Sequence, residues 1–127
     1  MPRVLIVDDD PGVCEVIRAQ LALADIDAEI ARDGRQALTM LCERTVAQRP
    51  YDAMILDLVM PNIDGWQVLK AVKNNPLWSS MKVIVVSGYA DSPDDLMKII
   101  EYDGVYVEKR AGFAEDVTQV VERVLED

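Results

Sequence analysis

With 127 residues the chain has the size of one ordinary domain, enough for a single core and too little for two. Lys and Arg total 13 against 23 Asp and Glu, a net charge of −10 that works against direct nucleic-acid binding. No apolar run approaches the roughly 18 residues of a membrane span, and strand-like sequence begins at Arg3 with no secretory leader before it. These features predict one domain, 1–127, working in the cytoplasm with no membrane contact. The sequence holds no histidine, so the commonest general base, transition-metal ligand and phosphohistidine donor must be replaced by carboxylates or supplied by a partner.

The first predicted element is the apolar run Val4–Val7, which ends in three consecutive acids, Asp8, Asp9 and Asp10. Asp10 suits a helix N-cap and Pro11 the first helical position, where a missing N–H costs nothing. Val13, Ile17, Leu21 and Ala24 form the stripe of the first helix, and Cys14 reads as a reduced, structural thiol, as does Cys42 in the second. Strand sequence returns at Ala28–Ala31. A helix capped near Asp33 then carries Ala37, Leu38 and Leu41 and runs toward Gln48, ahead of Pro50. Ala53–Leu56 is the third strand and ends in Asp57. Asp64 caps a third helix with Trp66, Leu69 and Val72 on its inner face, and Trp78 lies in the loop beyond.

The fourth strand, Val83–Val86, ends in Ser87, and a short helix after Pro93 presents Leu96, Ile99 and Ile100. Val105–Val107 leads into Glu108 and Lys109, whose side chains should face opposite sides. The last helix places Val117, Val120, Val121 and Val124 on one face. Five strands alternating with five helices, several strands continuously apolar, predict a doubly wound parallel α/β sheet. In such sheets ligands bind beyond the carboxyl ends of the strands.

Four of the five strands deliver a polar group to that edge: Asp8 and Asp9, Asp57, Ser87, and Lys109. Two carboxylates about 4 Å apart repel by roughly 4 kcal/mol at an effective dielectric near 20, and a hard divalent cation such as Mg²⁺ removes that cost. A nucleophilic carboxylate, a metal, an ammonium and a hydroxyl are the parts needed to accept a phosphoryl group.

The stretches VLIVDDD (4–10), DLVMPNIDGW (57–66), VIVVSGYA (83–90) and YVEK (106–109) together resemble the receiver domain of two-component response regulators, over essentially the whole chain. The resemblance implies a flavodoxin-like (βα)5 sandwich with strand order 2-1-3-4-5. It implies Asp57 as phosphoacceptor and Mg²⁺ held by Asp9, Asp57 and the Val59 carbonyl, with Asp8 acting through water. Lys109 would contact the Asp57 carboxylate and then the phosphoryl group. Ser87 and Tyr106 would form the switch, Val59 and Tyr89 would tune phosphate lifetime, and residues 93–124 would display the phosphorylation state. Implied partners are a sensor histidine kinase or histidine phosphotransfer protein upstream and an effector protein or fused output domain downstream, with phosphorylation-linked homodimerisation compatible.

One departure stands out: Arg110 occupies the place where that family usually has a proline, which predicts a trans peptide bond and a rearranged loop. Three other readings compete. A hydrolase working through an aspartyl phosphate would carry an acid where Val59 stands. A flavin carrier would need a glycine-rich phosphate loop rather than acids after the first strand. A receiver-fold interaction module that works without phosphorylation shares every fold feature and differs only in chemistry.

Overall fold

The computed structural model describes residues 2–58, 60, 64–88 and 93–126. The elements are β1 (Arg3–Val7), α1 (Pro11–Leu23), β2 (Asp27–Ala31), α2 (Gly34–Val46), β3 (Ala53–Asp57), α3 (Gly65–Asn74), β4 (Lys82–Ser87), α4 (Pro93–Glu101), β5 (Gly104–Glu108) and α5 (Phe113–Glu126). Every strand pair is parallel, in the order β2-β1-β3-β4-β5. The flavodoxin-like topology expected from the sequence is therefore the observed one. None of the described helices is long and apolar enough to cross a membrane.

Burial explains which strands read as continuous apolar runs. The central β1, β3 and β4 are buried almost throughout, with helices covering both faces, whereas the edge strands β2 and β5 bury few residues. Two apolar layers result. One centres on Leu5, Met54, Leu56, Leu69 and Val85, the other on Ile6, Ile17, Ile55, Ile84 and Val117. Alternate residues of one strand serve opposite layers, as Leu5 and Ile6 do.

The helix starts follow their caps. The Asp10 carboxylate accepts from the N–H groups of Gly12 and Val13, Asp33 accepts from Gln36, and Asp64 closes a reciprocal capping box with Gln67. The stripes needed correction in three helices. In α3 Val68, Leu69 and Val72 are buried while Trp66 is only half-buried. In α4 Ile99 alone is buried, Leu96 and Ile100 being exposed, because this helix lies beside an edge strand. In α2 the helix stops at Val46, ahead of Gln48 with its positive φ, and Cys42 faces solvent rather than the core.

One contact fixes the entry of α3 against the end of β3. The Gly65 N–H donates to the Leu58 carbonyl at 2.9 Å. A methyl on Gly65 would lie 2.2 Å from the Asp57 carbonyl oxygen and 2.4 Å from Leu58 Cα, main-chain atoms that cannot swing aside. Gly65→Ala is thus expected to cost about 1–3 kcal/mol, seen as a lower urea midpoint. Gly88→Ala, whose added carbon meets nothing within 4 Å, serves as the control. Equal losses in the two variants would rule out the close approach as the cause.

Candidate phosphoacceptor and metal site

The parallel register assembles the site. Val7 pairs with Leu56, so Asp8 emerges beside Asp57; Asp57 pairs with Val86, and Ser87 with Glu108, which puts Lys109 just past the neighbouring strand end. Main-chain bonds extend the ladder beyond the strands, from Asp8 N–H to the Ala31 carbonyl at 3.1 Å and from Lys109 N–H to the Ser87 carbonyl at 3.2 Å. Each functional group is carried by rigid backbone on at least one side.

Asp8 and Asp57 are 3% and 7% exposed, a depth at which carboxylates are rarely found without compensation. Asp9 stands in solvent, yet one carboxylate oxygen each from Asp8, Asp9 and Asp57 can be chosen so that all three lie within 4.8 Å of one another. That spacing is comparable with the ~4.2 Å span across an octahedral Mg²⁺ and its oxygen ligands. The donor set, all hard oxygen with no nitrogen or sulfur, fits the same ion.

Lys109 supplies the local positive charge. Its Nζ donates to Asp8 Oδ2 at 3.0 Å and lies 3.7 Å from Asp57 Oδ2. Lys109 thus reaches the Asp57 carboxylate and, more closely, that of Asp8, the more deeply buried of the two. Burial pushes the Lys109 ammonium's pKa down, but the hydrogen bond to Asp8 and the charges of Asp8, Asp57 and Asp10 more than offset it, leaving the pKa raised. The replacement of proline by Arg110 has not turned the lysine away: there is no cis peptide among the described residues, and the Arg110 N–H closes onto the Glu108 carbonyl at 3.0 Å. Glu108, as expected, faces the other way and is exposed.

Ser87 is fully buried, and its carbonyl accepts from the Tyr106 hydroxyl at 2.6 Å as well as from the Lys109 N–H. The residue that carries the hydroxyl, the aromatic on β5 and the lysine backbone therefore meet at one oxygen. Val59 and Tyr89 lie outside the described residues.

Two further contacts support the site. The Asp8 carboxylate accepts from the Asp10 N–H at 3.0 Å, so Asp10 is tied to the site as well as capping α1. The Cys14 thiol, on the first turn of α1, donates to the Asp8 carbonyl at 3.3 Å and is 1% exposed. A small apolar residue on an inner helix stripe was the only available signal for it.

Comparison with known proteins decides the family. The family profile described as "Response regulator receiver domain" matches residues 4–121. The chain belongs to the response regulator receiver family. The transcriptional regulatory protein KdpE of Mycobacterium tuberculosis is 32% identical over 115 residues, 91% of this chain and 47% of its own length. The response regulator MprA of Mycolicibacterium vanbaalenii is 39% identical over 72 residues, 57% of this chain and 29% of its own. This receiver thus spans less than half the length of these curated relatives. Among solved structures, a putative response regulator from Chloroflexus aurantiacus superposes with a TM-score of 0.82 at 25% identity, covering 100% of both chains. Receivers of this family generally bind Mg²⁺, and response regulators work with histidine kinases and output effector domains.

The buried thiol gives a direct check of this receiver's geometry. Burial, then the negative charge of Asp8, pushes the Cys14 pKa from 9.0 to about 11. A raised thiol pKa means that the folded state favours the neutral form. Its contribution to stability is complete below the ordinary value of 9.0 and is lost as pH rises through about 11. At pH near 8, iodoacetamide is expected to label exposed Cys42 and to reach Cys14 only after unfolding. Equal labelling rates in the native protein would show that the Asp8 loop is not closed over the thiol.

Proposed function

We propose that residues 1–127 act as one phosphorylatable receiver unit in which Asp57 accepts a phosphoryl group from a phosphohistidine on a partner. The observation that carries this reading is the gathering of the Asp8, Asp9 and Asp57 carboxylates within 4.8 Å, next to the Lys109 ammonium. An Asp57 oxygen attacks phosphorus in line, the O–P bond forms, and the P–N bond breaks with its electron pair returning to the imidazole nitrogen. Asp8, Asp9, Asp57 and the Val59 carbonyl would hold Mg²⁺, which would supply positive charge to offset that on the transferring group's oxygens. Lys109 then moves its contact toward the new phosphoryl oxygens, and Ser87 donates its hydroxyl to another. In dephosphorylation a water oxygen attacks phosphorus, the Asp57 O–P bond breaks to return the carboxylate and inorganic phosphate leaves, so the domain is its own phosphatase, with Val59 and Tyr89 as the positions that tune its rate.

The output is a shift of population between two arrangements of the Ser87 and Tyr106 region. The Tyr106 hydroxyl's bond to the Ser87 carbonyl supports this coupling, since movement of the Ser87 segment toward a phosphoryl group would stretch it. The α4–β5–α5 face supports the role of display surface. Leu96, Met97, Ile100 and Val105 are all exposed there, from 37% to 65%, more apolar surface than two short elements need for themselves. Its readers are an effector protein, a fused output domain or a second copy; the upstream partner is a sensor histidine kinase or histidine phosphotransfer protein. The setting proposed is cytoplasmic. The aim of Lys109 at both buried carboxylates favours this reading over a receiver fold that binds its partner without phosphorylation.

Incubation with an acyl phosphate and Mg²⁺ is expected to add the mass of one phosphoryl group to the wild type and none to Asp57→Ala. Equal gain in both proteins would overturn the assignment. Asp9→Ala should weaken Mg²⁺ binding by at least the ~10-fold typical of lost supporting groups, read by titration against Trp66 fluorescence. In Lys109→Ala, uptake is expected to survive better than the response of the α4–β5–α5 face, read by NMR shifts of Val105 and Tyr106. A full response in that variant would remove the lysine from the coupling.

A further inference from the structure

Beyond the phosphoacceptor edge, α3 and α4 enclose an open cleft of about 270 Å³ lined by Trp66, Lys70, Lys98, Glu101 and Tyr102. Lys98 is two residues from Ile100, about 200° round the helix, so the cleft opens on the flank of α4 away from the exposed apolar row. The Lys98 ammonium stands 5.7 Å from the centroid of the Trp66 ring, a cation–π contact that holds it in place while leaving its three N–H donors available. Neither Lys70 nor Lys98 has an ion pair among the described residues. In a chain of net charge −10, two ammonium groups against the single carboxylate of Glu101 make this cleft a local positive site with aromatic walls.

We infer that the α3–α4 cleft is a docking site for an acidic, aromatic-bearing segment of a partner protein. Carboxylates of the segment would meet Lys70 and Lys98, and an apolar side chain between them would lie against Tyr102 and the edge of Trp66. Charge complementarity selects the acidic partner, because two ammonium groups face it here while the chain as a whole is negative. Size selects a protein segment over a small molecule: the cleft is open and falls below the ~300–1,000 Å³ of pockets that enclose a ligand. Two lysines on facing helices along an open groove instead suit a peptide segment with acidic side chains spaced to meet them. The site is separate from Asp57, and its use requires no phosphoryl group.

The test uses the unphosphorylated protein, so its failure leaves the reading of Asp57 untouched. A blocked pentapeptide alternating aspartate with phenylalanine and leucine is titrated while the two tryptophan indole N–H resonances are followed. Saturable movement of the Trp66 signal is expected, with Trp78, whose indole N–H is bonded to Thr45 at 2.9 Å, as the stationary control. The double variant Lys70→Gln, Lys98→Gln should melt within a few degrees of the wild type, the exposed Lys98–Trp66 contact being a small contribution, and bind about fivefold or more weakly, as expected for the loss of two exposed ion pairs. The proposal is overturned by equal movement of both tryptophans, by equal binding of the lysine-for-aspartate peptide, or by undiminished binding in the double variant. Phenylacetate binding as tightly as the peptide would also overturn it, by making this a small-molecule carboxylate site.

Discussion

Everything at the working edge follows from two carboxylates held where water barely reaches them. Asp8 and Asp57 sit on adjacent parallel strands, and the register leaves neither free to retreat. Their charges are compensated in part by donors: the Asp10 N–H on one oxygen of Asp8 and the Lys109 ammonium on the other. Among the described residues one ammonium, that of Lys109, pairs with Asp8 and Asp57 where three carboxylates gather. An excess of acidic over basic groups favours whatever brings positive charge to it, and this is the electrostatic basis of the Mg²⁺ role proposed above. The same excess explains why Lys109 faces inward even though the residue after it is arginine. The attraction of buried carboxylates for their nearest cation outweighs the local preference of a changed loop.

Much of this was legible in the sequence because parallel α/β architecture turns strand ends into a list of neighbours. Once five apolar runs alternate with five amphipathic segments, the residues after each strand must share one edge, and Asp8, Asp9, Asp57, Ser87 and Lys109 could be named without coordinates. The caps at Asp10, Asp33 and Asp64 were legible for a similar reason, since their chemistry is local. What escaped was depth and contact. Periodicity finds the inward face of a helix but not how much lies beneath it: α3 has a sheet below and buries Val68, while α4 lies beside an edge strand and leaves Leu96 and Ile100 in water. Cys14 and the pairing of Lys98 with Trp66 are tertiary contacts between residue types that serve many roles. No spacing rule marks them.

In the switch proposed above, the Ser87 carbonyl is the shared part. It accepts from a side chain of β5, Tyr106, and from the main chain just beyond the same strand, Lys109. Any displacement of this carbonyl disturbs both bonds, so the aromatic and the lysine cannot respond independently. In a core packed to crystal-like density such a shared acceptor favours two discrete arrangements over a continuum.

α4 is the element best suited to move between them. A single buried side chain, Ile99, anchors it, and its contacts include the edge strand β5 and the Lys98–Trp66 pair. Segments with so little burial occupy the low end of the local stability range, where small free energies redistribute populations. The helix also carries two flanks of opposite chemistry, apolar toward Leu96 and Ile100 and cationic toward α3. A partner on either flank that holds α4 in one arrangement must alter the affinity of the other flank by the same factor, because the coupling free energy between two ligands is reciprocal. The acidic edge would then act on α4 from one end and a docked segment from its side, with the helix position as the common variable.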